Sequence, residues 1–162
     1  SMMIDYAAAR HGTIVYRAPV GEINVVDEMR AHRATIGGEG NGGVILPSLP
    51  YGRDAVLGIA LMLQLMAERG KPVSELTAEF PRYTMVKDRT EIAGKGAWIE
   101  PVKRLFAGES MDTRDGIKVL FPNAWVHIRE SNTEPIVRVI AEAPMEKEAR
   151  ELVQKVFTII RQ

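Results

Sequence analysis

The run AVLGIALMLQLMA, Ala55 to Ala67, constrains this chain more than any other stretch. Gln64 is its one polar interruption, and Arg53, Asp54, Glu68 and Arg69 flank it. Asp54 can accept from the first unpaired backbone N–H groups of a helix, and Gly70 can end that helix in the left-handed conformation. At about 1.5 Å per residue the run spans roughly 20 Å, short of a membrane's hydrocarbon core. A helix apolar nearly all round is a buried one, so this helix is expected between a sheet and further protein. That demands a layered fold.

The neighbouring patterns agree. MIDYAAAR reads as a helix stopped near Gly12, TIVYRA is rich in β-formers, and GEINVVDEMRAHR carries Val26 and Met29 at helical spacing. ATIGG and GGVILP give short strands ahead of the apolar helix. Strands alternating with helices predict a mixed sheet with both faces covered. KPVSELTAEFPRY, with Pro72 and Pro81 around one helical turn, is the linker, which divides the chain into 1–78 and 79–162. Beyond it come a strand at RYTMVKD, a helix at WIEPVKRLF, and strands at GIKVLFP, AWVHIRE and PIVRVIAEA. A last helix over 145–161 repeats Ala149, Leu152, Val153, Val156, Phe157 and Ile160, with Pro144 suited to its first turn. The fold class is therefore a truncated α/β domain, then a smaller α+β domain with an antiparallel sheet backed by helices.

Composition narrows the function. The 162 residues are 46% apolar and balance 21 Lys+Arg against 21 Asp+Glu. Neither a nucleic-acid nor an anionic-membrane footprint exists in such a balance, and an anion site must be local. Without cysteine there are no disulfides or thiolate metal sites, which fits a reducing compartment, and a cytoplasmic location is expected. The N-terminus lacks a signal peptide's charged and apolar regions, and Ser1 before Met2 reads as an added residue. His11, His32 and His127 have no ligand spacing, so no metal is expected on this chain. DTRD around Asp112 and Asp115 reads as a turn, lacking the glycine and distal glutamate of a calcium loop.

Two stretches carry chemistry. In AWVHIRE the period of two puts Trp125, His127 and Arg129 on one strand face. The following turn, Ser131, Asn132, Thr133 and Glu134, ends at Pro135; its N–H groups and side-chain donors can face an anion, with Arg129 supplying a planar fork. The same residues can equally cap their own turn while Arg129 or Arg138 pairs with Glu130 or Glu134. The second stretch is GGEGNGG, Gly37 to Gly43, where glycines admit a ligand close to the backbone and leave Glu39 and Asn41 to make contacts. A carboxylate beside an amide suits hydroxyl groups, as on a sugar. The alternative is a flexible hairpin with Glu39 solvated.

Together these motifs resemble the α-D-phosphohexomutase family of phosphoglucomutases, phosphomannomutases and phosphoglucosamine mutases. The family's sugar loop G-E-x-S-G is matched by Gly38, Glu39, Gly40, Asn41 and Gly42, with Asn in place of Ser. Its phosphate loop R-x-S-N-T-E-P is matched throughout from Arg129 to Pro135, followed by Arg138 and Glu142. The resemblance implies most of the third domain and all of the fourth domain of a four-domain enzyme. It further implies that Glu39 and Asn41 hold sugar hydroxyls, that Glu22 in the turn APVGE touches substrate, and that Arg129, Ser131, Asn132, Thr133 and Arg138 bind phosphate. The partners implied are a hexose phosphate and a hexose bisphosphate. No T-A-S-H-N-P-like serine loop or D-G-D-x-D-R-like Mg²⁺ loop occurs, so the resemblance implies no catalytic residue here and no bound ion, with Mg²⁺ serving only the full-length parent. The rival readings are a non-catalytic phosphosugar-binding or regulatory module and a plain interaction domain.

Overall fold

The computed structural model describes residues 1–40, 42–92, 94–131 and 134–161. The chain divides between Pro81 and Arg82 into two compact units. The first is α/β and contains helices α1 (Met2–Arg10), α2 (Glu22–His32), α3 (Ala55–Arg69) and α4 (Val73–Ala78), with strands β1 (Gly37–Gly38) and β2 (Val44–Ile45) between α2 and α3. Val26 and Met29 of α2 pack on Ile45 to make a small core, with Val25 and Ala34 at its margin. Gly37 lets Met29 lie close against it, since a Cβ there would stand 2.2 Å from Met29 Sδ and displace that side chain.

Three expectations for this unit need correction. The mixed sheet is reduced to an antiparallel ribbon of two residues per strand, Gly37 opposite Ile45 and Gly38 opposite Val44. TIVYRA is not a strand: β propensity needs a hydrogen-bonding neighbour, and β1 with β2 is the only ladder among the described residues of this unit. Helix α3 is capped as its sequence predicts, Asp54 Oδ1 accepting from Leu57 N–H at 3.0 Å and Gly70 turning at φ 61°, yet none of its residues is buried. Val56 is 75% exposed, Ile59 60% and Leu63 59%. The short ribbon offers no sheet face broad enough to cover the helix. Among the described residues no helix is long and apolar enough to cross a membrane.

The second unit is α+β. Its antiparallel sheet has the order β3 (Thr84–Glu91), β7 (Ile136–Ala143), β6 (Trp125–Glu130), β5 (Ile117–Leu120), β4 (Ser110–Asp112). Helices α5 (Ile99–Leu105) and α6 (Glu146–Ile160) supply the apolar cover. Val102 and Phe106 from the first, and Ala149, Val153, Val156 and Phe157 from the second, share one core with Val119, Val126, Ile128, Val137 and Val139. Strand β4 escapes sequence reading because three residues carry no readable alternation. Pro144 lies ahead of the N-cap, Met145, rather than in the first turn of α6.

Both tryptophans are fixed by carboxylates. Trp98 Nε1–H donates to Glu130 Oε1 at 2.8 Å, and the Gly96 N–H donates to the same oxygen. Trp125 Nε1–H donates to Glu142 Oε2 at 2.8 Å, a carboxylate only 2% exposed. An indole buried without such an acceptor would leave a polar group unsatisfied.

The contrast between the units is measurable. Phe157→Ala empties the α6 contact and is expected to cost about 3–5 kcal/mol in urea denaturation followed by far-UV circular dichroism. Leu63→Gln on exposed α3 is expected to stay within about 0.5 kcal/mol.

Candidate functional site

In the first unit the glycine run becomes a tight hairpin. Glu39 C=O accepts from Gly42 N–H at 3.0 Å, and Glu39 N–H donates to Gly43 O at 3.0 Å. With Gly42 at φ 97°, this is a three-residue loop closed by a glycine bulge. Glu39 therefore sits at a fixed corner, its side chain 14% exposed rather than solvated. Asn41 lies outside the described residues. The sequence reading missed what stands opposite. Arg53, on the segment entering α3, places Nη1 2.9 Å from Glu39 Oε2 and donates from Nε to Glu22 Oε2 at 2.6 Å. Glu22 opens α2, so the guanidinium joins the hairpin to that helix. Glu22, Gly42, Gly43, Arg53 and Ala55 line an open cleft. The sequence signal for Arg53 is only a basic residue before an N-cap aspartate, which by itself reads as helix flank.

In the second unit Arg129 is the penultimate residue of β6, on the face away from the helices, and it pairs with neither Glu130 nor Glu134. Nη1 approaches Asp115 Oδ2 at 3.3 Å. Gly116, at φ 72°, lets the Asp115 turn lie on β6, since a Cβ there would meet Ile128 O at 2.2 Å. Arg138 does pair with Glu134, at 3.4 Å. Arg129, Arg138 and Arg89 stand in register across β6, β7 and β3. Three guanidiniums thus share one row with the carboxylates of Asp115 and Glu134, a local positive excess in a chain of zero net charge. Arg89 went unnoticed in the sequence because only strand register brings it to Arg138.

The turn after β6 is more committed than its sequence implies. Ser131 is buried, and its N–H donates to Ile136 O at 2.9 Å, so that amide closes the turn instead of facing an anion. The Ile136 N–H donates to Glu134 O at 2.8 Å across Pro135, a γ-turn that the proline's fixed φ suits. Asn132 and Thr133 lie outside the described residues.

His127 neighbours Arg129 on this face. Its Nε2 lies 2.6 Å from Asp115 O, and because a carbonyl only accepts, Nε2 carries the proton. Burial pushes the imidazole below its ordinary pKa, opposed by Asp115 and reinforced by Lys118 and Arg129. Folded protein therefore binds this proton more weakly than unfolded chain. Stability from His127 is complete above its ordinary value of about 6.5 and falls as pH drops through and below it. Urea midpoints between about pH 7.5 and 5.5 should decline in the wild-type chain and decline less in His127→Gln, whose amide can still donate to Asp115 O.

Residues 1–83 match the sequence model for the alpha/beta/alpha domain III of phosphoglucomutase/phosphomannomutase, and residues 65–159 match that for its C-terminal domain. The chain belongs to the phosphoglucomutase/phosphomannomutase family. Members similar to it include the phosphoglucomutase/phosphomannomutase of Thermococcus kodakarensis, 39% identical over 95% of this chain and 34% of its own length. A probable phosphoglucosamine mutase of Methanopyrus kandleri is 37% identical over 99% of this chain and 36% of its own. The chain thus spans about a third of the length of these curated relatives. Among solved structures, a phosphoglucomutase/phosphomannomutase family protein from Burkholderia thailandensis shares the fold with a TM-score of 0.71 at 23% identity, covering 88% of this chain and 31% of that one. An Aspergillus fumigatus N-acetylphosphoglucosamine mutase, in complex with GlcNAc-6P and magnesium, superposes with a TM-score of 0.65 at 15% identity over 98% of this chain and 39% of its own.

Proposed function

We propose that this chain is the substrate-binding half of a hexose-phosphate mutase. On this reading residues 1–78 and 79–162 correspond to the third and fourth domains of the parent enzyme. The parent would move a phosphoryl group reversibly between C1 and C6 of a hexose phosphate through a bisphosphate intermediate. The observation that carries the reading is the arginine row beside the R-x-S-N-T-E-P turn. Guanidiniums are planar forks matched to phosphate oxygens, and a row of them exceeds what the two carboxylates alongside neutralise.

The roles follow from donor and acceptor chemistry. Arg129 and Arg138 bind the phosphate that is not reacting, with Ser131, Asn132 and Thr133 of the same turn completing the clamp. Glu39 accepts from ring hydroxyls at the hairpin corner, joined by Asn41 and by Glu22. Such an arrangement positions the ligand, and positioning is a large part of catalysis in phosphoryl transfer. The transfer itself needs a phosphorylatable serine and a Mg²⁺ site, so the chain alone is inactive on this reading. Magnesium would stabilise charge on the transferring phosphoryl group in the parent. Among the described residues no group of three or more His, Asp or Glu side chains is placed to hold a metal ion, and none of the roles given to this chain requires one. A cytoplasmic location accords with these metabolite ligands.

Calorimetric titration with glucose 1,6-bisphosphate tests the proposal. Arg129→Ala should weaken binding by roughly ten- to a hundredfold, the range for hydrogen bonds to charged groups, with the far-UV spectrum unchanged. Equal affinity in the two proteins would sink the clamp.

A further inference from the structure

We infer that Arg53 is a positioning residue of the sugar site, holding the Glu22 and Glu39 carboxylates in the orientation that receives hydroxyl groups; this rests on the mutase reading above. Two carboxylates facing one cleft repel each other unless a cation lies between them. Arg53 fills that place with two different nitrogens, Nε toward Glu22 at 2.6 Å and Nη1 toward Glu39 at 2.9 Å. Both contacts use the Oε2 atom. Each carboxylate keeps Oε1 for a ligand hydroxyl, and among the described residues no hydrogen bond is made to either Oε1. A lysine would not reproduce this, because its donors share one nitrogen on a flexible stem, whereas the guanidinium holds two separate nitrogens at fixed positions in one plane.

The surrounding backbone is shaped to the arginine. Asp54 N–H donates to Val44 O at 2.9 Å, pinning the Arg53 segment to β2, and Asp54 then caps α3. Gly43 leaves room for the stem: a Cβ there would lie 2.3 Å from Arg53 Cδ and 2.5 Å from Cγ. The glycine after the hairpin bulge is thus explained by a side chain crossing it rather than by a ligand. Arg53 also ties three chain segments together, the start of α2, the hairpin and the entry to α3, so the geometry of the sugar corner is set by one residue.

The test uses this chain and two probes, glucose 1,6-bisphosphate and inorganic phosphate. Arg53→Ala should weaken the bisphosphate by about three- to tenfold, a coupling typical of side chains in contact. Its affinity for inorganic phosphate should not change. Added to a Glu22→Gln/Glu39→Gln background, Arg53→Ala should weaken binding no further than those two changes do, because the arginine acts through those carboxylates. Gly43→Ala, which displaces the stem without removing charge, should reproduce the loss, and millimolar guanidinium should partly restore Arg53→Ala but not Gly43→Ala. Arg53→Ala shortens a side chain that is partly exposed, so it decides the matter even if Gly43→Ala fails to fold. Full bisphosphate affinity in Arg53→Ala, with loss in Glu39→Gln, overturns the inference and leaves the mutase reading standing. Unchanged affinity in both Glu39→Gln and Arg129→Ala overturns the mutase reading and this inference together.

Discussion

The packing of α6 and α5 on one face of the five-stranded sheet is the contact on which the second unit depends. Once Val126, Ile128, Val137 and Val139 are committed to that core, strand alternation forces their neighbours outward. Trp125, His127, Arg129 and Arg138 reach the opposite face for that reason alone. The arginine row is therefore a consequence of apolar burial: a slip of one residue in β6 would send Arg129 inward and Ile128 to solvent. Two carboxylates, Glu142 buried and Glu130 partly so, reinforce the register by holding both tryptophans, while Asp115 and Glu134 meet the arginines.

The first unit is organised differently. Its core is small, and its order at the site comes from close backbone approach and one ion-pair bridge. Gly37 lets α2 press on β1 through Met29, Gly42 closes the hairpin, and Gly43 lets the Arg53 stem cross. The largest apolar helix, α3, contributes its N-terminal cap to this corner and leaves its apolar faces open within the chain. The ion-pair contacts of this corner thus converge where Glu22, Glu39 and Arg53 meet.

Much of the second unit was legible in the sequence. Alternation located β5, β6 and β7, and the amphipathic pattern located α6, because each buries one face against a single core. The first unit was read less well for the same physical reason. TIVYRA has the composition of a strand but no neighbour to pair with, and α3 has the composition of a buried helix but no broad sheet to lie against. Propensity and hydropathy describe what a segment would do given a partner; they do not supply the partner. The site divided along similar lines. Arg129, Arg138, Glu39 and Glu22 stood out as residues of the right chemistry near recognisable turns. Arg53, Asp115 and Arg89 did not, since each matters only through a contact with a residue distant along the chain.

By itself, the sequence determined the periodic elements, the capping of α3, the absence of cysteine chemistry and the two loops that mark a phosphosugar family. These are local properties, set by side chains within a few residues of one another. Only the tertiary structure decided that Asp115 rather than a neighbouring glutamate holds Arg129, that three arginines align across three strands, and that one guanidinium joins Glu22 to Glu39. Those facts are relations between distant segments, fixed by strand register and by the few glycines that let one segment lie against another.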